Sequence, residues 1–444
     1  MLIRYRPGMA GSSAATWRNW AGTESATPRE IMIPRSAGEV QAAVRRAGET
    51  GLTVRMTGSA HSFTGAAVCD GLMLRPGGLR RIRSVDARAG LVTVEAGCPL
   101  RLLNAELARH GLALANMGDI QVQTVAGAIQ TGTHGTGRDL GGMAAQVAGL
   151  ELVLADGSLV TCSADERPDL FAAARIGLGA LGVLTAVTFR VVPAFLLTAV
   201  EEPMRWSEVV GRLDELTSAN EHFEFYWFPH TDGCLTKRNN RSAGPPRPLP
   251  RWRYELDDEF LSNTLFGAVC AAGHRAPGLI PRVNRMASRA LSARTYTDTS
   301  YKVFTSPRRV RFKEQEYAIP RAALADVLTG LRSLIEARDW RISFPIEVRV
   351  TPADDLWLST AYGRDSAYLA LHVYHRSAHE AYFADTEALL VSAGGRPHWG
   401  KMHTRDAGDL AAAYPMFGKF TALRDELDPD RRFANPYLTR VLGP

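Results

Sequence analysis

The chain of 444 residues exceeds the size of one ordinary hydrophobic core, so we expect two domains. Its hydrophobic fraction of 45% and charged fraction of 22% are those of a globular protein and exclude wholesale disorder. The formal charge of +6 favours an anionic ligand, but no long Lys/Arg block or nucleic-acid-binding motif is present, which argues against nucleic acid as a partner.

Cysteine usage and hydropathy bear on location. The five cysteines are far apart and form no C-x-x-C pair; they are Cys69, Cys98, Cys162, Cys234 and Cys270. This pattern is typical of a reducing compartment and implies no metal site. Residues 1–17 lack the apolar core of a signal peptide, and no apolar run approaches the length that spans a bilayer. We therefore predict a soluble cytoplasmic protein without a metal or membrane insertion, whose first 15 residues are unstructured.

The predicted elements of the first half are short. Ser36 and Glu39 form a capping-box pattern ahead of a predicted helix at 37–50. The remaining predicted elements are strands at 52–56, 72–74, 82–85 and 91–95, a helix at 99–110, a hairpin at 146–162 and a strand at 184–192. Because helices and strands intermingle as far as Pro193, we expect an α+β domain.

A glycine-rich stretch occupies residues 117–137. Gly127, Gly132, Gly135 and Gly137 alternate with small residues and threonines, so the backbone can approach a ligand closely. A pyrophosphate or a planar ring would fit such a loop. The stretch differs from the usual dinucleotide fingerprint because 131–137 does not open an amphipathic helix. Taken alone, it is equally compatible with a tight-turn scaffold.

A second loop, at 54–65, runs from a strand into a Gly/Ser turn that ends on His61. Together the two loops resemble the flavin-binding domain of the vanillyl-alcohol-oxidase type. The sequence from 19 to 443 resembles the aldonolactone and alditol oxidoreductases of that superfamily.

The resemblance implies FAD as cofactor and a two-domain α+β fold. Its parts would be an N-terminal extension at 1–19, an FAD-binding domain at 20–193 and a substrate-binding cap with an antiparallel sheet at 194–444, whose segment 396–444 returns to the flavin. The implied cofactor-binding residues are Thr57, Gly58, Ser59, Ala60, His61, Ser62, Gly118, Thr124, Gly127, Ala128, Thr131, Gly132, Thr133, His134, Val183 and Lys401.

Four positions in the two loops carry further implications. His61 stands where many relatives tether the flavin through a histidyl bond, so FAD is either covalent or dissociable. Ala60 replaces the family's usual glycine, which costs about 1 kcal/mol if the position has a positive φ. Gly118 matches a residue that controls oxygen access in relatives, and its small size favours an open path. Asp119 matches a substrate-pocket residue that is serine in alditol oxidases, so the acidic residue favours the aldonolactone branch.

From residue 194 the predicted elements lengthen. A Pro-rich stretch at 244–250 predicts a stiff surface loop, and a helix at 321–339 leads into a strand at 342–350. The strand period of two puts Glu347 and Arg349 on one face. Opposite charges in an apolar strand need each other or a polar ligand, so a structural ion pair is one interpretation. The resemblance implies instead that both are catalytic, with Arg349 near the flavin and Glu347 holding a substrate hydroxyl.

Two further motifs complete the predicted site. A strand at 368–375 places His372 and Tyr374 on one face, and the resemblance implies His372 as the base and Tyr374 as a substrate contact. A buried structural histidine is the alternative. Residues 396–403 resemble a His-Trp-x-Lys signature, which implies Lys401 as a cation beside the flavin and the substrate. The alternative there is a surface lysine.

These residues predict FAD-dependent oxidation of a secondary hydroxyl of a sugar lactone, such as L-gulono-1,4-lactone or D-arabinono-1,4-lactone. Hydride would pass to flavin N5, and the electrons to O2 or a soluble acceptor. Residues 311–320 and 361–365 also resemble the lactone dehydrogenases. The alternatives are an oxidase of alditols such as xylitol or sorbitol, and a catalytically inactive sugar-binding protein on the same fold. An epimerase of lipid-linked sugars is less favoured, because such proteins lack His61 together with the His-Trp-x-Lys signature.

Overall fold

Short strands build the first half of the chain. The computed structural model describes residues 16–444, so the extension predicted at 1–15 lies outside the described residues. The strands are Trp17–Arg18 (β1), Ser25–Ala26 (β2), Glu30–Met32 (β3), Val54–Met56 (β4), Leu72–Leu74 (β5), Ile82–Asp86 (β6), Leu91–Glu95 (β7), Leu112–Ala113 (β8), Val147–Val153 (β9), Leu159–Ser163 (β10), Val183–Arg190 (β11) and Val192–Pro193 (β12). β3, β5 and β4 form a parallel sheet, and β10, β9, β11, β7 and β6 form an antiparallel one.

Four α-helices lie in the described part of this half, and the first begins where its capping residues predict. They are Ala37–Glu49 (α1), Leu100–Arg109 (α2), Val125–Gln130 (α3) and Pro168–Ala174 (α4). In α1, Ser36 Oγ accepts from the Glu39 N–H at 3.2 Å, and the Glu39 carboxylate accepts from the Arg35 N–H at 2.9 Å. Both bonds satisfy N–H groups that a helix start otherwise leaves unpaired.

One large antiparallel sheet dominates the second half. Its strands follow the order β16-β13-β15-β14-β18-β19-β17-β20. Their bounds are Leu196–Arg205 (β13), His222–Trp227 (β14), Gly233–Ser242 (β15), Arg294–Thr299 (β16), Phe312–Pro320 (β17), Ile346–Thr351 (β18), Ser366–Tyr374 (β19) and Arg396–Pro397 (β20).

Eleven α-helices and a π-helix accompany this sheet within the described residues. The α-helices are Trp206–Gly211 (α5), Leu213–Ser218 (α6), Arg251–Tyr254 (α7), Phe266–Arg275 (α8), Ile280–Ala290 (α9), Ser300–Phe304 (α10), Leu324–Ala337 (α11), Glu380–Ser392 (α12), Ala407–Ala413 (α13), Phe417–Leu427 (α14) and Pro436–Leu442 (α15). The π-helix, Glu255–Leu265, joins α7 to α8 without a break. None of the helices described in 16–444 is long and apolar enough to cross a membrane.

The large sheet has two chemically different faces. Alternate residues of β14, β18 and β19, among them Phe225, Val348 and Leu369, pack with α11 and α12 into a closed apolar core. The intervening residues carry charged and polar side chains on the opposite face, where Glu347 pairs across the ladder with Tyr226. We call this opposite side the charged face.

Two predicted boundaries are wrong. The strand predicted at 342–350 begins only at Ile346, because Pro345 has no N–H to give to a ladder and Phe344 turns to pack edge-on against Phe266. The helix predicted at 321–339 opens with a 3₁₀ turn at Arg321–Ala323, and its α-helical part ends at Ala337.

The C-terminal segment packs against the first half of the chain. The Val54 N–H donates to the Arg432 carbonyl at 2.8 Å, and the Phe63 N–H to the Gly400 carbonyl at 2.7 Å. The buried Arg55 guanidinium donates to carbonyls of Phe433, Leu178, Gly179 and Ala66, which ties three distant segments together. The predicted domain limits at 19 and 193 remain predictions.

Candidate active site

A cavity of about 980 Å³, including its open mouth, lies between the two loops singled out from the sequence. Its walls come from 54–67, 123–131 and 178–184, with Phe433 from the C-terminal segment. The predicted cofactor residues that line it are Thr57, Gly58, Ser59, Ala60, His61, Ser62, Thr124, Gly127, Thr131 and Val183. Ala128 is fully buried in α3, while Gly132, Thr133 and His134 line a smaller neighbouring cavity.

The walls of this cavity need small residues and offer unused polar groups. Thr124 caps α3, with its Oγ1 accepting from the Gly127 N–H at 3.2 Å, and a Cβ on Gly127 would meet that oxygen at 2.9 Å. Gln123 Oε1 is buried and has no hydrogen-bond partner among residues 16–444. An acceptor left unpaired in the wall of a cavity suits a ligand that brings donors. The lining therefore fits an elongated polar ligand such as FAD.

The turn that ends on His61 holds Ala60 in the left-handed region, with φ of +60°. The Trp20 N–H donates to the Ala60 carbonyl at 2.7 Å, and the Trp20 ring stacks on His61 with 5.6 Å between centroids. Burial, together with the Lys401 charge, lowers the pKa of His61 to about 4. The imidazole is therefore neutral near pH 7, so one of its two nitrogens carries no proton and has a lone pair available for nucleophilic attachment. Covalent attachment through His61 remains a prediction.

The charged face gathers Glu347 and Arg349 with two residues that sequence reasoning missed. Directly paired residues of antiparallel strands share a face, and the register pairs Arg349 with Glu224 and Glu347 with Tyr226. Arg349 Nε lies 2.9 Å from Glu224 Oε2, and Arg349 Nη2 forms an ion pair with Glu347. Tyr226 donates to Glu347 Oε1 at 3.0 Å. In the sequence, Glu224 and Tyr226 alternate with aromatic residues in 223–228, and this alternation was the signal that could have placed them on one face of a strand.

Asp119 reaches this cluster from the glycine-rich stretch. Its carboxylate lies 2.9 Å from Arg308 and 3.9 Å from Arg349, and its carbonyl accepts from the Ser306 N–H at 3.0 Å. Burial opposes ionisation, but Arg308 and Arg349 hold the pKa of Asp119 well below its usual range. Burial raises the pKa of Glu347 despite Arg349. Arg308 was not predicted from the sequence, which offers only an arginine pair at 308–309 as a signal.

A second cluster centres on Lys401. Its Nζ lies 2.5 Å from Glu314 and 3.8 Å from Glu316, and His372 Nε2 lies 3.4 Å from Glu314. Burial alone would lower the pKa of Lys401, but the two carboxylates raise it above its ordinary value. Lys401 also stands over the Phe63 ring at 5.5 Å, next to the His61 turn. Glu314 and Glu316 alternate along β17, a strand whose charges the sequence analysis did not use.

Two histidines, His134 and His398, lie beside Glu316. His134 Nδ1 lies 2.9 Å from the Gly135 carbonyl, which can only accept, and its Nε2 lies 3.2 Å from Glu316. His398 Nδ1 accepts from the Gly400 N–H at 3.0 Å, so its proton resides on Nε2. The three side chains bring metal-ligating atoms within 4.8 Å of one another. A metal on His398 Nε2 would displace that proton, so the arrangement favours hydrogen bonding over ligation.

The remaining predicted residues occupy the edges of the site. Gly118 is buried, and a Cβ there would meet the Thr133 methyl at 3.0 Å, so any larger residue must push against this wall. Tyr374 shares the face of His372, but at the rim, with its ring 6.1 Å from that of His274. Their roles in oxygen access and substrate contact remain predictions, as do the catalytic roles of the central residues.

The two clusters belong to one electrostatic unit. Asp119 contributes to raising the pKa of Lys401, and Lys401 contributes to lowering that of Asp119. Four separate stretches of the chain thus bring together Glu347, Arg349, Lys401, His372 and Asp119. Such a set can bind a polyhydroxylated molecule, hold an anion and move a proton.

Sequence comparison gives this arrangement a family context. The profile of D-arabinono-1,4-lactone oxidase matches residues 187–441, and the profile of the FAD binding domain matches residues 28–163. L-gulono-1,4-lactone dehydrogenase of Mycobacterium tuberculosis is 42% identical over 96% of this chain and 99% of its own. L-gulonolactone oxidase of Bos taurus is 34% identical over 97% and 99%.

Structural comparison agrees on the fold. Cholesterol oxidase from Brevibacterium sterolicum superposes with a TM-score of 0.81 at 20% identity, covering 97% of this chain and 96% of that one. At this identity the similarity concerns the fold alone. The predicted α+β fold and the FAD cofactor are confirmed.

Proposed function

The chain belongs to the D-arabinono-1,4-lactone oxidase family, and from this premise we propose that it oxidises a secondary hydroxyl of L-gulono-1,4-lactone or a closely similar aldono-1,4-lactone. It is an FAD-linked oxidoreductase that acts on CH–OH groups. The observation that carries the proposed substrate class is the convergence of Asp119, Glu347, Arg349 and Lys401, the last of which lies against the His61 turn of the cofactor cavity. Lactones of this kind offer several hydroxyls and one carbonyl, which such charged groups can bind.

FAD, when bound, accepts the hydride that leaves the substrate carbon and passes the electrons on. We assign the binding of the reacting hydroxyl to Glu347, since its pKa is raised by burial and Tyr226 already orients one of its oxygens. Arg349 supplies a fixed positive charge, because Glu224 and Glu347 hold its guanidinium on two sides. Lys401 supplies the second positive charge, against the turn that carries His61.

We assign the removal of the hydroxyl proton to His372. Its Nε2 faces the Glu314 carboxylate at 3.4 Å, which orients the ring with its own N–H on Nε2, directed toward Glu314. Nδ1 is then the basic nitrogen, and the aromatic rings of Phe312 and Phe344 at 4.9 and 5.9 Å fix the plane of the ring. Glu314 thereby positions both the base and Lys401.

The direct test is steady-state turnover of the purified enzyme with L-gulono-1,4-lactone and with xylitol, each under air and with a dye acceptor under anaerobic conditions. We expect the lactone to give the higher kcat/KM. Preference for xylitol would transfer the assignment to the alditol oxidases. Absence of both activities in a preparation with flavin absorption would leave the sugar-binding alternative.

The same experiment addresses the electron acceptor. The absence of a side chain at Gly118 favours O2 as an acceptor, whereas the Thr133 methyl, which occupies the space beside it, favours the soluble electron carrier that the dye represents. A rate under air comparable with the dye-dependent rate would identify an oxidase. We propose the cytoplasm as its location, because all five cysteines are buried and free.

A further inference from the structure

Exposed apolar side chains concentrate in one segment of the chain. Of thirteen exposed large hydrophobic residues in 16–444, eight fall between 252 and 286. They are Trp252, Tyr254, Leu256, Phe260, Leu261, Leu265, Leu279 and Met286. Trp252 is 67% exposed and Met286 is 73% exposed, values unusual for side chains of this size. Such a concentration of exposed apolar side chains in one helical segment points to an interaction surface.

The π-helix aligns several of these residues. Each backbone hydrogen bond of a π-helix links residues five positions apart, which widens the turn to roughly four to five residues. At this spacing Leu256, Phe260 or Leu261, and Leu265 follow one another along one side of the helix. Trp252 precedes Leu256 by one α-helical turn. We call this row, Trp252 to Leu265, the apolar stripe.

Three of the four acidic side chains of the same helix point toward the protein, and the fourth, Glu255, is exposed and paired with Arg251. Asp257 and Asp258 pair with Arg294 on β16, and Glu259 pairs with Arg309 ahead of β17. Asn263 is buried and donates to the Pro307 carbonyl at 3.1 Å. The helix is therefore anchored by its polar side and leaves its apolar side outward.

Unpaired positive charge follows the stripe along the chain. Residues 260–290 contain no Asp or Glu, whereas Arg275, Arg282, Arg285 and Arg289 are exposed, and within residues 16–444 none of the four forms an ion pair. Three of them belong to α9, whose buried residues are Ile280 and Asn284. Outward apolar groups beside unpaired arginines are the composition of helices that lie in a lipid–water interface.

We propose that the surface formed by the apolar stripe and α9 docks the enzyme onto an anionic lipid bilayer. The stripe would enter the headgroup region, and the four arginines would contact lipid phosphates. A second copy of the chain is a poorer occupant, because a twofold interface would place the same unpaired arginines opposite one another. The negative potential of an anionic leaflet complements them instead.

The test uses the full-length FAD-loaded enzyme and vesicles of phosphatidylcholine with or without phosphatidylglycerol. We expect co-sedimentation with the anionic vesicles and its loss at high salt. The double variant Trp252→Ser, Phe260→Ser should reduce the partition coefficient about tenfold or more. Arg282→Gln with Arg285→Gln should reduce it about fivefold for each charge removed.

Matched controls come from exposed residues elsewhere. Leu159→Ser removes an exposed leucine from the edge strand β10, and Arg88→Gln removes an exposed arginine of the first half; neither should change vesicle binding. Flavin absorption and turnover without vesicles verify that each variant is folded. Equal binding to neutral and anionic vesicles, no binding at low salt, or a stripe variant that binds like the controls would each overturn the proposal. A dimeric enzyme that becomes monomeric in the stripe variant, with no vesicle binding by either protein, would also overturn the proposal.

Discussion

The cofactor cavity and the charged face differ in how they make a binding surface. The cavity is lined mainly by small residues and backbone, and its conspicuous features, Ala60 and Gly127, are matters of conformation and space. The charged face is built from ionic side chains that strands distant in sequence bring within hydrogen-bonding distance. The difference teaches that the first is sensitive mainly to the size of its residues, while the second is sensitive to loss or reversal of charge.

The largest effect is expected from Lys401→Met. The side chain keeps its length but loses the charge, so FAD should stay bound while flavin reduction by the lactone slows about 100-fold to 1,000-fold, as when one preorganised charge-stabilising donor is removed. Stopped-flow absorption under anaerobic conditions measures the rate. Lys302→Met, at an exposed lysine of α10, is the control. An unchanged reduction rate would refute the proposed role of Lys401.

Arg349→Met should cost the most stability. It leaves Glu224 and Glu347 buried without their shared cation, and breaking a buried pair in this way costs about 3–5 kcal/mol. Thermal unfolding followed by circular dichroism should show a clearly lower Tm. Arg212→Met, which removes a fully exposed partner of Glu215, should hardly change it. Equal Tm shifts in the two variants would argue against a tightly coupled charged face.

Glu314→Gln should alter the pH dependence more than the maximal rate. Glu314 helps to raise the pKa of Lys401, so its removal lowers that pKa, and the protonated lysine is lost at a lower pH. The alkaline limb of the flavin-reduction profile should therefore move to lower pH, with a rate loss of about tenfold at neutral pH from the less well oriented His372. Glu380→Gln, at a carboxylate exposed on α12, is the matched control. A profile identical to that of the unmodified enzyme would contradict the positioning role.

Ala60→Gly should have the smallest effect, and of the opposite sign. Glycine adopts φ of +60° without the Cβ penalty, so the free energy of unfolding should rise by about 1 kcal/mol. Thermal unfolding measures the change, with Ala89→Gly as a control outside the left-handed region. Acid precipitation of both proteins then shows whether the flavin is tethered, since only a covalent flavin leaves a yellow pellet. A lower Tm for Ala60→Gly would mean that the alanine methyl group contributes packing.

Sequence reasoning predicted best what depends on neighbouring residues. The capped start of α1 and the glycine-rich stretch follow from local chemistry, and the period of two put Glu347 and Arg349 on one side of a strand. It missed Glu224 and Glu314, because their importance comes from ladder register. The register places Glu224 opposite Arg349, 125 positions away, and Glu314 opposite His372. It also missed the helices at 251–290, where outward apolar residues weaken the usual pattern of an amphipathic helix.

The position of Phe433 in the wall of the cofactor cavity has a consequence for biosynthesis. Strand β4, which begins this wall, leaves the ribosome long before its backbone partner Arg432 is made. The cavity therefore lacks Phe433 from its wall until translation has passed this residue. We expect a chain truncated before Arg432 to bind FAD more weakly than the enzyme that retains this segment.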